Sequence, residues 1–405
     1  MRKLLTSLML FWCFTAAGQA YNNEWIDFSK TYYKFKVADS GFYRISQATL
    51  NAAGLANIPA EQFRLVRNGQ EVPVTTSVAT GVIPAGGYIE FWGEPNNGTP
   101  DKPLYRNPVY QHSEKISLQT DTAVYFLSAT EGARLRFTEA ANNVAGNTLA
   151  SEPFFQHTMG NYFKETVNPG YARIIGEYVY SSAYDNGEYW SSQDIYPSTP
   201  RTINYSNLYP YNGGNATATI KFGASGNTSN QRIIRFAVNG TPVREAQIDY
   251  FADSVVQGSI PSSLLASGSA GVVISDICQV PTDRMVVSFF EINYSRQFNF
   301  GGNRQFYFQL APKNEGYYLD ITNFNFGSVK PILLDLTSLQ RYSGEITGTN
   351  VKFALPGSPV ARNFVLVSQE AAAIRNVTTL TPKTFQNFRT AANQGTYLII
   401  SSPLL

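Results

Sequence analysis

Cysteine, histidine and charge are all scarce in this 405-residue chain, which carries two cysteines, two histidines and only 15% charged residues where about 25% is usual. Two cysteines exclude a disulfide framework as the source of stability. One of them, Cys13, lies in an amino-terminal leader, so Cys278 is left without an intrachain partner. The fold must then be held by apolar cores, which a chain of this length can supply in two or three domains. Net charge is small as well. The leader, residues 1–20, takes away two of the 31 basic residues and none of the 29 acidic ones, leaving no excess of either sign. No basic cluster compensates, and the footprint of a nucleic-acid binder is absent.

The leader is legible from its parts: Arg2 and Lys3, an apolar stretch over 4–17, and the small residues Gly18 and Ala20 before Tyr21. This is the pattern of a secretory signal peptide, with the mature chain expected from Tyr21. Its apolar run falls well short of the ~20 residues of a bilayer span, and no other stretch qualifies. Bulky Phe11, Trp12 and Phe14 flank Cys13, where a lipid-modified cysteine calls for small neighbours.

What is abundant is Tyr, Phe, Asn, Thr and Gly, a composition of sheets joined by many turns. Over 21–151, Tyr33, Phe35 and Val37 alternate with Lys34 and Lys36 as a half-buried strand, with 41–45 expected as its hairpin partner. A short helix follows, capped by Ser46, burying Leu50 and closed by Gly54. Asn68-Gly69 between 63–67 and 70–74 fits a two-residue turn in which both central residues take positive φ. Further strands are expected at 88–92, 122–127 and 134–137. The stretch 93–108 between them reads as a loop rich in Pro, Gly and Asn. Over 152–344, strands at 216–222, 232–238, 271–275, 284–294, 305–310 and 317–321, with an Asn239-Gly240 turn, predict a second β-sandwich, of jelly-roll type. No tandem repeat is visible.

Beyond 344 the pattern changes. Asn363-Phe364-Val365-Leu366-Val367 and Thr396-Tyr397-Leu398-Ile399-Ile400 are apolar on both faces. Between them Thr381, Pro382 and Gly395 stand where a helix cap, first turn and terminator belong, with Phe385, Phe388 and Ala392 on one stripe. That predicts a β-α-β crossover, the incomplete start of an α/β domain over 345–405. Faces such as Phe364, Leu366, Leu398 and Ile400 would be left uncovered within the chain.

Chemistry is thinly represented. Cys278 sits in an apolar strand-like run, where an inert thiol is the favoured reading over a nucleophile that needs an adjacent base. His112 and His157 lie in loop-like sequence with no His or Cys at metal-ligand spacing, which favours surface or packing roles. Asp185, Glu188 and Asp194 cluster with Tyr184, Tyr189 and Trp190, the makings of a sugar cleft but also ordinary loop chemistry in a Tyr-rich protein. Asp101, Asp121, Asp253 and Asp283 fall in turns, and none belongs to a calcium loop. No catalytic, cofactor-binding or metal-ligating residue is assigned. The 93–108 and 184–190 loops are expected to be the exposed contact surfaces.

The segments Asp39-Ser40-Gly41-Phe42-Tyr43-Arg44-Ile45-Ser46, Leu50 with Gly54, Tyr88-Ile89-Glu90-Phe91-Trp92-Gly93, Phe289-Phe290-Glu291-Ile292-Asn293-Tyr294-Ser295-Arg296, Leu333-Leu334-Asp335-Leu336-Thr337 and Tyr397-Leu398-Ile399-Ile400-Ser401, in this order, resemble the amino-terminal part of secreted gingipain-like cysteine peptidases, in particular the type IX secretion system sortases. The resemblance implies β domains followed by a caspase-like α/β domain whose catalytic His and Cys fall beyond Leu405, and neither Cys278 nor either histidine takes those roles. It also implies a place at the outer membrane or cell surface. The implied partners are exported proteins with carboxy-terminal sorting domains, components of the secretion machinery, and an outer-membrane partner. The alternative is a non-enzymatic secreted β-sandwich protein that binds carbohydrate or protein.

Overall fold

The computed structural model describes residues 23–396 apart from Ala133, Ile175, Gly176 and Ser182, and only the backbone over the rest of 172–178. The expected signal peptide and the apolar run 397–400 lie outside the described residues.

Three antiparallel-dominated sandwiches follow one another. In the first, one sheet runs Thr381–Thr384, Thr31–Val37, Ala123–Ala129, Phe63–Arg67, Gln70–Val72, and the facing sheet runs Ile374–Val377, Gly41–Ser46, Tyr88–Gly93, Thr75–Thr76. Phe35, Val37, Ile45, Leu65, Ile89, Phe91 and Leu127 fill the space between them, as period-2 alternation requires. The Ser46 hydroxyl accepts the Thr49 N–H at 3.1 Å and caps the Gln47–Ala52 helix as expected. Asn68 and Gly69 take φ of 48° and 77°, and Asn239 and Gly240 take 48° and 80°, so both two-residue turns form. Two local expectations fail. Gly41–Ser46 pairs with Tyr88–Gly93 in the opposite sheet and not with its sequence neighbour. Arg136 makes only an isolated bridge to Val74, and the nearby strand is Thr138–Ala140.

Residues 152–344 do not form one sandwich, because their apolar residues segregate into two cores. Ile220, Phe222, Ile234, Phe236, Val272, Ile274 and Phe290 build the second sandwich from a sheet ordered Asp253–Ser259, Ala218–Gly226, Met285–Arg296, Phe155–Tyr162 and one ordered Arg201–Tyr205, Ala270–Ile277, Gln231–Val238, Thr241–Asp249. Phe298, Phe300, Phe308, Leu319, Phe353, Phe364 and Leu366 build a third.

The β-α-β reading of the tail is corrected on two counts. Arg362–Val367 is antiparallel to both its neighbours, Gln305–Leu310 and Ile332–Asp335. It is apolar on both faces because Phe364 and Leu366 face the third core, while Val365 and Val367 meet Phe42 and Ile374 in a seam with the first sandwich. Burial between two cores gives the same sequence signature as a parallel sheet. The expected helix is absent at its start: Thr381–Thr384 is an edge strand on Thr31–Val37, a position that tolerates Pro382 as well as a first helical turn does. Phe385 is held among Trp25, Tyr32 and Phe126 at centroid distances of 5.4–5.6 Å, and only Ala391–Asn393 forms a helical turn. Phe364 and Leu366 are fully buried, not left uncovered.

Candidate functional site

The loop over 94–121 leaves the first sandwich and lies down on the second, and most of the chemically interesting side chains meet along that junction. Asp101 folds the loop on itself, its carboxylate accepting the Ser117 hydroxyl at 3.0 Å and the Leu118 N–H at 2.7 Å. Tyr105 donates to the Glu188 carbonyl at 2.7 Å, Trp190 Nε1 donates to the Ser117 carbonyl at 3.1 Å, and Arg106 pairs with Asp185 at 3.2 Å. The two loops expected to be free contact surfaces, 93–108 and 184–190, therefore bind one another across the junction. Burial pushes the Tyr105 phenol far above its ordinary value.

His112 is the centre of the junction and is buried, not at the surface. Its Nδ1 lies 2.8 Å from Ser288 Oγ and its Nε2 lies 2.7 Å from Asp253 Oδ2, with the Tyr189 ring lying against it at a centroid distance of 4.2 Å and a tilt of 30°. The Asp253 carboxylate accepts a hydrogen bond from Nε2–H, Nδ1 shares one with the Ser288 hydroxyl, and that hydroxyl also donates to the Gly223 carbonyl at 3.1 Å. Gly223 makes the close approach possible, because a Cβ there would stand 2.6 Å from both His112 Nδ1 and Ser288 Oγ. These are the components of a Ser–His–acid relay, yet the arrangement is closed. The cavity beside the ring is about 20 Å³, scarcely a water molecule, and a nucleophilic serine must reach a substrate carbonyl. What the set can do is clamp the loop to the second sandwich. His112→Ala removes both bonds and leaves a void under Tyr189, and is expected to cost about 2–4 kcal/mol. Thermal unfolding and limited proteolysis of 94–121 check this; an unchanged melting point with the loop still protected would sink the clamp.

The remaining candidates are engaged elsewhere. Asp185 is buried and accepts the Ser181 hydroxyl as well as Arg106, and Glu188 Oε2 accepts the Asp185 N–H at 3.1 Å. Asp194 is exposed and takes an Asn227 amide at 3.2 Å. Asp185 and Glu188 brace the junction, while Asp194 is paired within the second sandwich with Asn227 and Arg284. Asp121 is exposed beside Lys164, at 3.4 Å. His157, in the Phe155–Tyr162 strand, stacks on Phe306 at 5.6 Å, and burial together with Arg296 holds its pKa down to about 4, so it is neutral at physiological pH.

Cys278 donates to the Gln231 carbonyl at 3.3 Å, and burial with the nearby Asp283 and Asp276 pushes its thiol up. That is the reverse of nucleophilic activation. Neither histidine is among its partners, both His112 nitrogens being committed to Ser288 and Asp253. Among the described residues no cluster of three or more His, Cys, Asp or Glu is placed to hold a metal ion. Sequence reasoning missed Ser288, Gly223 and Asp253 as partners of His112; they lie 176, 111 and 141 residues away, and no local signal joins them. No described helix is long and apolar enough to cross a membrane.

No family model matches the sequence, and no curated protein matches it. Among solved structures the chain is similar to dimeric latent PorU from Porphyromonas gingivalis, at 13% identity and a TM-score of 0.56 over 90% of this chain. The match takes in 34% of that protein, so this chain spans about a third of PorU's length. Carbohydrate-binding module CBM36, solved with calcium and xylotriose, matches 33% of this chain and 98% of its own at 12% identity and a TM-score of 0.21. BuGH86, solved with neoagarooctaose, matches 66% of this chain and 32% of its own at 10% identity and a TM-score of 0.22. Those two superpositions are too loose to carry an argument. The likeness to PorU establishes a common arrangement of successive β-sandwich units, at an identity that speaks to fold alone.

Proposed function

We propose that this chain is the amino-terminal, non-catalytic β portion of a secreted gingipain-like cysteine endopeptidase or sortase of the type IX secretion system, acting in processing and surface attachment of exported proteins. The observation that carries the reading is the PorU-like course of the chain over 90% of its length. The ordered segment resemblance and the signal-peptide pattern of residues 1–20 agree with it. In this reading the sandwiches position a catalytic domain and hold cargo or machinery at the cell surface, and the chemistry belongs to residues beyond Leu405.

The chain by itself is then expected to cleave no peptide, because Cys278 has a raised thiol pKa and no histidine partner. The check is a peptide-cleavage assay on the purified chain, with binding to a purified carboxy-terminal sorting domain measured alongside a soluble glycan panel. Cleavage abolished by Cys278→Ala would place a nucleophile in the second sandwich and overturn the scaffold reading. Specific glycan retention with no affinity for a sorting domain would move the function to carbohydrate binding.

A further inference from the structure

On the first sandwich the Thr31–Val37 strand is paired to Thr381–Thr384 only from Thr31 to Lys34. Past Lys34 its other side stays bonded to Ala123–Ala129 as far as Val37, but among the described residues no strand covers the edge at Phe35 to Val37. The chain leaves Ile374–Val377 in one sheet and crosses through Thr378 to reach Thr381–Thr384 in the other, which opens a groove of about 580 Å³ beside that edge. That volume lies within the range of about 300–1,000 Å³ typical of ligand sites.

The walls of the groove carry one sign of charge. Lys34 and Lys36 project from the outer face of their strand and Lys383 from the adjoining one, all three exposed. None of them pairs with a described carboxylate, in a molecule whose basic side chains mostly do: Lys30, Lys102, Lys164, Lys313, Lys330 and Lys352 all have acidic partners. Half-buried Phe126 and Val124 lie beside Lys34 and Lys36 on that same face, and the opposite, inward side of the groove is apolar, lined by Phe35, Tyr43 and Val377. Lys34 and Lys36 stand two residues apart on one face, a separation of about 6.6–6.8 Å, the same interval at which alternate side chains of an added strand recur.

We propose that this groove docks an extended acidic segment of a partner protein, added as a short strand to the free edge at Phe35–Val37 with alternate carboxylates on Lys34, Lys36 and Lys383 and the intervening apolar side chains turned to the other face, toward Phe35, Tyr43 and Val377. Backbone pairing to an open edge supplies affinity and the side-chain positions supply specificity. The charge selects the occupant. A second copy of this chain would bring lysine against lysine, the arrangement by which edge lysines block self-association, whereas an acidic strand relieves the repulsion among the three. Because the lysines are exposed, the contribution of charge is modest and salt-sensitive. The proposal stands apart from the peptidase-scaffold function and survives or fails without it.

The test is fluorescence anisotropy of the full chain with a labelled short peptide alternating Glu and Val. Saturable binding is expected, weakened about tenfold by high salt and by the double variant Lys34→Gln, Lys36→Gln, and abolished by charge reversal, Lys34→Glu, Lys36→Glu, Lys383→Glu. All three side chains are exposed, so the variants should melt with the wild type, and the Gln pair remains informative if the reversal misfolds. A peptide with Lys in place of Glu should not bind, and one N-methylated at alternate backbone positions should bind at least tenfold more weakly. Equal binding by the Gln pair, or by the N-methylated peptide, overturns the proposal. Retention of heparin without the acidic peptide does so in favour of an anionic glycan, and self-association of the wild-type chain through this edge does so in favour of a second copy.

Discussion

Asp283→Ala is expected to destabilise the second sandwich by about 3–5 kcal/mol. Arg232 projects inward from Gln231–Val238 with no exposed side-chain surface, and its Nε and one terminal nitrogen fork onto the Asp283 carboxylate at 2.8 and 2.9 Å. The rest of the guanidinium is used too, donating to the Tyr250 carbonyl at 2.6 Å and the Thr228 carbonyl at 3.0 Å. Asn230 and the Thr228 hydroxyl donate to the same carboxylate. Burial opposes ionisation of Asp283, but these hydrogen bonds and the Arg232 charge outweigh it and hold the carboxyl well below the usual range. Deleting the carboxylate leaves a buried cation with no counter-charge, a far larger loss than the net worth of the intact pair. The exposed pair Arg235–Glu245 is the internal control, since both its side chains are well hydrated and Glu245→Ala should cost no more than about 1 kcal/mol. Urea unfolding followed by tryptophan fluorescence separates the two; equal losses would mean that the buried pair contributes nothing special. The contribution of Asp283 is present above the ordinary carboxylate pKa and is lost only as pH falls toward its depressed one, so mild acid should leave it in place.

How much of this was readable from the sequence follows from the range of each interaction. The Asn68-Gly69 and Asn239-Gly240 turns were legible because positive φ at two successive positions is a local demand that few residue pairs meet. The alternation of Tyr33, Phe35 and Val37 with Lys34 and Lys36 was legible because one face is buried and one wet. Arg362–Val367 was misread because two-sided burial is local, whereas what buries it, the third core on one face and the seam with the first sandwich on the other, is not. The return of residues 374–384 to sheets begun at Thr31 and Gly41 spans more than 300 residues, and Pro382 suits an edge strand as well as a helix start. The junction was partly visible: Asp185, Glu188, Trp190 and His112 were singled out, but as members of separate loops. Their common role arises only when 94–121 lies on the second sandwich.

Asp276 gives the same sandwich a pH dependence of opposite sign. It lies on the inward face of Ala270–Ile277, is 2% exposed, and neither of its oxygens finds a donor. Burial first, and then the charge and proximity of Asp283, push its pKa from an ordinary 3.8 up to about 7. A protonated Asp276 can donate to Asp283, while an ionised one faces a like charge in a dry site, so the proton is the missing partner. The sign follows from the raised folded value. Below about pH 4 both folded and unfolded chains carry this proton and the group costs nothing. Between pH 4 and 7 the unfolded chain releases it and the folded chain keeps it, so stability falls as pH rises, and above pH 7 the full penalty stands. The total is about 2–4 kcal/mol. Asp276→Asn presents an amide donor to Asp283 at every pH, and should match the wild type near pH 4 while exceeding it by most of that amount at pH 8. Urea midpoints across this range, with the wild type and variant side by side, decide the matter: curves that run parallel from pH 4 to pH 8 would show that Asp276 is ionised throughout and that another group answers its charge.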